Sequence, residues 1–409
     1  MGKNIIVGQS GGPTAVINSS LAGVIKQARD LGADKIYGMR NGIEGFLKEK
    51  IVDISETIKT EVDLELLKRT PAAYLGSCRF KLPHADKAPE TYEKIFEILG
   101  KWEIDCFFYI GGNDSMDTIA QLSLVAEQKE SPIRFIGVPK TIDNDLVITD
   151  HCPGFGSAAK YVATSIKEVI RDTKVNDMDV VTVVEIMGRD AGWLTGATAL
   201  SAGTDCSGPD LVYLPEVDFD VEKFLVRVAE VQKAHRAVVV AVSEGVRMDD
   251  GRYVCEYFDN DSRRTDAFGH KQLTGTALVL ATIIRERIGC KVRAIELSSL
   301  QRSAAHLQSE TDQIEAFRVG TAAVKAAFSG ETGKMIAIER VGGEYYQSAV
   351  NVVDVQLVAN QKKDVPREWI NEQGDYVTQD FIDYARPLIM GEVSLLYVDG
   401  LPRHVDNLY

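Results

Sequence analysis

Short unbroken apolar runs, separated by stretches with helical spacing, organise this chain. Runs at residues 4–7, 35–38, 106–110, 134–138, 180–186, 211–214, 237–242, 292–297 and 335–338 are each about one strand long. Continuous rather than alternating hydrophobicity predicts strands buried on both faces, as in parallel sheets. Between them apolar positions return every three or four residues. Val16, Ile17, Leu21, Val24, Ile25 and Ala28 mark the first helix, with Pro13 near its start and Gly32 at its stop. Further helices are expected over 158–169, 191–200, 221–231 and 304–328. The alternation predicts an α/β architecture with a mostly parallel, doubly wound sheet, and so many strands predict two such sheets. The first boundary is placed at 151–154 and the return crossing near 301–302. One domain would then hold 1–152 plus about 303–360 and the other 153–302. Residues from about 361 to 409 are charged and aromatic with weak periodicity, and read as a C-terminal elaboration at a subunit contact.

Composition narrows the functional classes. At 409 residues and 45% hydrophobic, the chain can bury a sizeable core. It lacks a run of about 18 apolar residues, so a membrane span is not expected. The start does not resemble a secretory leader. Cysteines 78, 106, 152, 206, 255 and 290 form no CxxC pair, which favours free thiols in a reducing cytoplasm. With 46 Lys+Arg against 60 Asp+Glu, the net charge of −14 argues against a nucleic-acid surface. An anionic small substrate stays compatible, because a few arginines in a cleft override the global field.

Chemistry gathers at the carboxyl ends of the apolar runs. Gly8-Gln9-Ser10-Gly11-Gly12-Pro13 follows the first, and Gly111-Gly112-Asn113-Asp114-Ser115 follows another and opens a helical stretch. Glycine pairs let backbone approach an anion, and the following helix offers unpaired amides to it. A single such turn often only ends a strand. Its recurrence, with hydroxyls at Ser10 and Ser115, predicts a phosphate cradle. The spacing fits neither a Walker loop nor a dinucleotide fingerprint. Gly76-Ser77-Cys78-Arg79-Phe80-Lys81 adds a third turn, either a solvated loop or one whose Arg79 reaches a phosphoryl oxygen.

Pro139-Lys140-Thr141-Ile142-Asp143-Asn144-Asp145 carries the densest cluster. On extended chain its two aspartates would share one side. A carboxylate within reach of a sugar hydroxyl can take its proton as the oxygen attacks phosphorus, an effect of about 10²- to 10⁴-fold. Lys140 would neutralise the transferred group; the bland alternative is a capping turn. Met187-Gly188-Arg189-Asp190 and Ser243-Glu244-Gly245 follow two further strands, offering a cation and a carboxylate for a sugar phosphate. Gln301-Arg302 with Arg293 supply the remaining cations. The six histidines form no HxxxH pair, which disfavours a histidine metal site.

Gly-Gly-x-Asp-Ser, Pro-Lys-Thr-Ile-Asp-Asn-Asp, Met-Gly-Arg, Ser-Glu-Gly and Leu-Gln-Arg, in this order, resemble the phosphofructokinases over roughly residues 4–338, and their pyrophosphate-dependent form in particular. The resemblance implies an α/β enzyme of two doubly wound domains with the active site in the cleft between them. It would phosphorylate fructose 6-phosphate at the 1-hydroxyl with Mg²⁺, as a homodimer or homotetramer; exchanging one phosphoanhydride for one phosphoester leaves a modest driving force, so a reversible reaction is expected. By the same resemblance Asp143 is the general base, assisted by Lys140 and Arg189. Thr141, Asp145, Met187, Gly188 and Glu244 would contact the sugar phosphate, as would Ser299, Leu300, Gln301 and Arg302. Ser299 stands where many relatives have histidine. Arg293 would reach a neighbouring subunit's substrate. Gly11, Gly12, Arg79, Gly112, Asp114, Ser115 and Lys140 would face the donor, and Asn113 stands where the family usually has a magnesium-binding aspartate.

By the same resemblance Asp114 and Lys140 together mark the pyrophosphate form, Asp114 standing where ATP-using relatives commonly carry glycine. A carboxylate about 4 Å from a nucleotide's α-phosphate costs around 4 kcal/mol at an effective dielectric near 20. This favours pyrophosphate. An ATP-dependent phosphofructokinase and a non-catalytic phosphosugar-binding subunit remain the alternatives; intact Asp143, Lys140 and Arg189 speak against the second.

Overall fold

A computed structural model describes residues 2–175, 177–258, 273 and 275–406. In chain order its main strands are β1 (Asn4–Gln9), β2 (Lys35–Met39), β3 (Ile51–Asp53), β4 (Cys106–Gly111), β5 (Arg134–Pro139) and β6 (Val180–Ile186). They continue with β7 (Leu211–Tyr213), β8 (Ala237–Ser243), β9 (Lys291–Glu296), β10 (Lys334–Val341) and β11 (Gln347–Asp354). Two sheets result. The first runs β11-β10-β5-β4-β1-β2-β3, parallel except at its two edges. The second runs β7-β8-β6-β9 and is parallel throughout.

Every residue of β4, β6 and β8 is buried, which is why these strands read as continuous apolar runs. β3 and β11 were not expected from the sequence. β3 has three residues, and β11 is a half-exposed edge strand whose apolar signal is diluted by Gln347, Ser348 and Asn351. The helix expected over 304–328 begins at Glu310, where the Ser309 hydroxyl accepts from the Asp312 amide, a serine N-cap. This helix, arriving from the second sheet, docks on the first helix, Ile17–Asp30. A Cβ on Gly23 would lie 2.2 Å from the Phe317 carbonyl, and one on Gly320 2.0 Å from that of Ser20, so backbones meet through glycine.

The C-terminal segment is more than an appendage. Val365, Ile370, Phe381, Tyr384 and Leu388 join one core with Phe155, Trp193 and Leu214. Trp193 stacks on Phe381 with ring centroids 6.0 Å apart. Burial of a Phe-sized side chain stabilises by about 1.5–3 kcal/mol, so this segment helps hold the second sheet's helices in place.

In the first sheet β1 and β4 are neighbours whose chains leave in opposite directions along the sheet, β1 toward β2 and β4 toward β5. In the second, β6 is flanked by β8 and β9. Open α/β sheets bind ligands at such switch points, beyond the strands' carboxyl ends.

Candidate active site

The loops leaving the carboxyl ends of β1, β4, β5, β6, β8 and β9 converge on one cleft of about 650 Å³. The wall formed after β1 and β4, the one expected to face the donor, presents much of its backbone. Ser10 N–H donates to the Ile110 carbonyl (2.9 Å), pinning the first glycine turn beside β4. Gly11 has φ +76°, and a Cβ there would meet Lys140 Nζ at 3.2 Å. Glycine is required twice over, by conformation and by space. The Ser77 hydroxyl donates to the Gly11 carbonyl (2.6 Å), tying the Arg79 loop to the same turn. Gly112 caps the helix Asn113–Gln128, so its first amides face the cleft.

Lys140 to Asp145 cross from this wall to the other. Lys140, 3% exposed, donates from Nζ to the Gly12 carbonyl at 2.7 Å. The expectation of extended chain here is corrected. The segment bends, and Asn144 adopts a left-handed φ of +55°. Asp143 and Asp145 both line the cleft, but the turn brings them there rather than strand alternation. Asn144 is fully buried behind them; it donates to the Tyr384 hydroxyl (2.8 Å) and accepts from the Cys152 amide (2.9 Å). Tyr384 in turn donates to the Asp150 carbonyl (2.7 Å). Asp143 N–H donates to Thr141 Oγ1 at 3.0 Å.

The wall formed after β6, β8 and β9, the one expected to face the sugar phosphate, is braced by side chains. Ser243 donates to the Gly188 carbonyl (2.6 Å), and Glu244 Oε1 accepts from Gly188 N–H (3.4 Å). Gln301, 2% exposed, accepts from Met187 N–H (3.1 Å) and donates to the Ser298 carbonyl (2.9 Å). A Cβ on Gly245 would lie 1.8 Å from the Arg189 carbonyl, so the two strand-end loops touch backbone to backbone. Arg189 Nε is buried without a hydrogen-bond partner while its residue lines the cleft. An unsatisfied buried guanidinium nitrogen is costly unless a ligand meets it.

Charge in the cleft is deliberately unbalanced. Burial pushes the Asp143 carboxyl up, opposed by Lys140 and Arg189 and reinforced by Asp190. Burial, then repulsion from Asp143, raises Asp145 to about 7. Burial likewise raises Glu244 and Glu185 to about 7, and lowers Lys140 to about 8 despite the nearby aspartates. Burial lowers Arg302, helped by the facing charge of Arg79. Perturbed groups of both signs in a cleft characterise functional sites.

Most expected residues meet here. Gly11, Gly12, Arg79, Gly112, Asn113, Asp114, Ser115, Lys140, Thr141, Asp143 and Asp145 line the cleft with Met187, Arg189, Glu244, Gln301 and Arg302. Gly188 sits behind the lining. Ser299 and Leu300 are exposed and outside it. Arg293, on edge strand β9, is ion-paired with Asp172 and does not enter this cleft. Asn113, expected as the Mg²⁺ contact, lines the cleft; its side-chain oxygen accepts from Asn360 N–H (2.6 Å) and its amide donates to the Gln361 carbonyl. The amide is thus engaged at both ends as a clip. Sequence reasoning missed Glu185, Asp190, Glu296 and Ser298, which also line the cleft. Glu185 and Glu296 face each other in register on β6 and β9; a carboxylate near the end of an otherwise apolar run was the available signal.

Among the described residues, no three His, Cys, Asp or Glu side chains form a metal cage. Mg²⁺ asks for no such cage; it keeps waters and binds through one or two protein oxygens plus substrate phosphates. Asp143 and Asp145 both line the cleft and repel one another, a repulsion that a cation beside them would relieve, and their oxygen donors fit a hard one. Among the described residues no helix is long and apolar enough to cross a membrane.

Comparison with known proteins agrees with this geometry. The phosphofructokinase family model matches residues 4–327. The pyrophosphate–fructose 6-phosphate 1-phosphotransferase of Halomonas elongata is 42% identical over 404 residues, covering 98% of this chain and 95% of its own. Its namesake from Xanthomonas campestris is 40% identical over 405 residues, with 98% and 95% covered. The solved pyrophosphate-dependent phosphofructokinase of Nitrosospira multiformis superposes with a TM-score of 0.88 at 38% identity, covering 99% of this chain and 97% of that one.

Proposed function

The chain belongs to the phosphofructokinase family, and we propose that it transfers a phosphoryl group from pyrophosphate to the 1-hydroxyl of fructose 6-phosphate. One observation carries the chemistry: the Asp143 turn after β5 and the Arg189 loop after β6, from different sheets, open on one cleft with both glycine turns. Asp143 takes the 1-hydroxyl proton as that oxygen attacks the nearer phosphorus. The bond from that phosphorus to the bridging oxygen breaks, and orthophosphate leaves. Lys140 and Arg189 stabilise the charge on the transferred group, work that fixed cations in a dry site do well. The first turns of the helix at Gly112 hold the donor, with Arg79 beside it. Glu244, Met187 and Gln301 hold the sugar phosphate, with Arg302. Magnesium would be held by the donor's phosphates together with Asp145, and supplies positive charge to the developing oxyanions.

The donor preference rests on Asp114 and the relatives' names together, since the charge argument is weaker than sequence alone suggests. Asp114 is 43% exposed and Lys81 Nζ stands 3.5 Å away, so its repulsion toward a nucleotide is screened. What remains is side-chain bulk at the first helical turn and a reduced charge effect. Steady-state assays with fructose 6-phosphate, Mg²⁺ and either donor test the reading. Turnover with pyrophosphate well above that with ATP is expected; an ATP preference returns the chain to the ATP-dependent alternative, and no turnover to the binding-subunit one.

Assembly and compartment belong to the same proposal. Unpaired cysteines among the described residues are compatible with a reducing cytoplasm. Arg293 lies on an edge strand away from its own cleft, which suits a role in a second copy's site. Hybrids of Arg293→Ala and Asp143→Ser subunits should then regain part of the activity that each parent lacks. Absence of rescue in hybrids verified by native mass would confine the site to one chain.

A further inference from the structure

Residues 360–365 have no regular secondary structure, yet they are bonded to both walls of the cleft. On the donor side Asn360 donates from its backbone to Asn113 Oδ1 (2.6 Å) and from its side chain to Asp117 Oδ1 (2.9 Å). Asn113 opens the helix whose N-terminus faces the donor. At the turn that carries the base, Lys363 N–H donates to the Asp145 carbonyl at 2.8 Å. Its Nζ donates to the carbonyls of Asp150 (2.8 Å) and Thr149 (3.2 Å), just beyond that turn. On the acceptor side Lys362 Nζ donates to the carbonyl of Asp190, adjacent to Arg189, at 2.8 Å. Trp193 Nε1 donates to the Lys363 carbonyl (2.9 Å), and Val365 N–H to Glu216 (3.0 Å), which also accepts from Gly192 N–H (2.7 Å).

The pattern is specific in what it grips. Lys362 and Lys363 carry two cations to backbone carbonyls rather than to the reacting groups, and Asp364 Oδ1, 2.7 Å from Lys362 Nζ, holds the first of them beside the Asp190 carbonyl. Those carbonyls belong to the residue after Arg189 and to Thr149 and Asp150, just beyond the turn holding Asp143 and Asp145, while the Asp145 carbonyl itself is held by the Lys363 backbone N–H. The two walls come from different sheets, so their separation is not fixed by either sheet's hydrogen bonds. Reaction geometry depends on that separation, and a displacement of about 1 Å from a change outside the chemistry can cost about 10²-fold. Lys363 is largely buried, with its ammonium 5.2 Å over the Trp193 ring, an arrangement that holds a charge in place rather than in solvent.

We propose that residues 360–365 form a strap that sets the distance between the Asp143 turn and the Arg189 loop, with Lys362 and Lys363 as positioning residues for phosphoryl transfer. This rests on the phosphotransferase reading above. Lys362 is 42% exposed, so replacing it leaves the core intact.

The test compares wild type, Lys362→Ala, Lys362→Arg and Lys363→Met in steady state, with thermal midpoints measured alongside. Lys362→Ala should lower kcat by about tenfold or more with KM for fructose 6-phosphate within about threefold. Lys362→Arg, which keeps a cation in reach of the Asp190 carbonyl, should recover most of the rate. Lys363→Met should fall further; should it fail to fold, the Lys362 pair decides. A Lys362→Ala kcat within twofold of wild type overturns the strap, and so does a loss confined to KM or one that arginine does not restore. Wild-type turnover keeps the two readings separate: if the wild type prefers ATP, the donor assignment fails and the same ratios, measured with ATP, still judge the strap.

Discussion

The two walls of the cleft are built in different ways. The donor side is built from glycine turns and a helix N-terminus, which present backbone amides to the cleft and are themselves tied together by Ser77 and Lys140 through the Gly11 and Gly12 carbonyls. The acceptor side is built from Ser243, Glu244 and Gln301, each spanning between strand-end loops. A backbone cradle suits a ligand that is nearly all phosphate and has no face to distinguish. Fixed side-chain donors and acceptors suit a sugar, whose hydroxyls must be told apart. The donor side can therefore change its partner with small substitutions, whereas the acceptor side breaks when one brace moves.

The largest effect is expected where the walls meet. Asp143→Asn should reduce kcat by at least about 10²-fold while leaving fructose 6-phosphate binding close to intact, because it removes a base and little volume. Near-wild-type turnover would take Asp143 out of that role. A direct contrast of the walls uses alanine at one glycine from each. Gly245→Ala pushes a methyl to within 1.8 Å of the Arg189 carbonyl, and kcat/KM for fructose 6-phosphate should drop by about 10²-fold. Gly12→Ala meets only Arg302 Nη1 at 3.4 Å, the far end of a flexible side chain, and should stay within about threefold. Equal effects at the two positions would erase the contrast.

Much of this was legible beforehand, for a reason the contrast explains. Buried parallel strands announce themselves by continuous apolar runs, and nine strand positions were read that way. Loops after those strands carry residues with narrow chemical meaning, so Lys140, Asp143, Arg189 and Glu244 stood out. The left-handed Asn144 was hidden, because an Asp-Asn-Asp string is as compatible with extended chain as with a bend. Residues 360–365 were hidden more deeply. They work through main-chain groups and two lysines that form no motif, and only three-dimensional proximity gives them meaning.

Glu244 offers a smaller effect with two opposed signs. Burial raises its carboxyl to about 7, above the usual glutamate value near 4.3. Between those values the folded protein holds more protons than the unfolded chain. Its contribution to stability is thus full below the unfolded value and lost as pH rises through about 7. At pH 8, Glu244→Gln should stabilise by on the order of 1–2 kcal/mol and raise KM for fructose 6-phosphate about tenfold. Denaturant midpoints at pH 5 and pH 8 check the first claim; a gain that does not shrink at pH 5 would point to packing instead. The smallest effect belongs to Asp114. With Lys81 beside it, Asp114→Gly should move the ATP-to-pyrophosphate ratio of kcat/KM by about tenfold or less, and a ratio within twofold of wild type would remove it from donor choice.

The order in which the sheets are written along the chain has its own outcome during synthesis. β6 to β9 lie in one continuous stretch, so the acceptor sheet can pair as soon as residue 296 has left the ribosome. The donor sheet cannot finish then, because β10 pairs beside β5 through Lys334 and Ile136. Closing so long a loop slows folding and leaves the β5 edge open in the meantime. The strap emerges later still. A nascent chain can therefore pair its second sheet before its first, but the helices on that sheet wait for residues 365–388 to complete their core, so both walls of the cleft are finished only when nearly all of the chain exists.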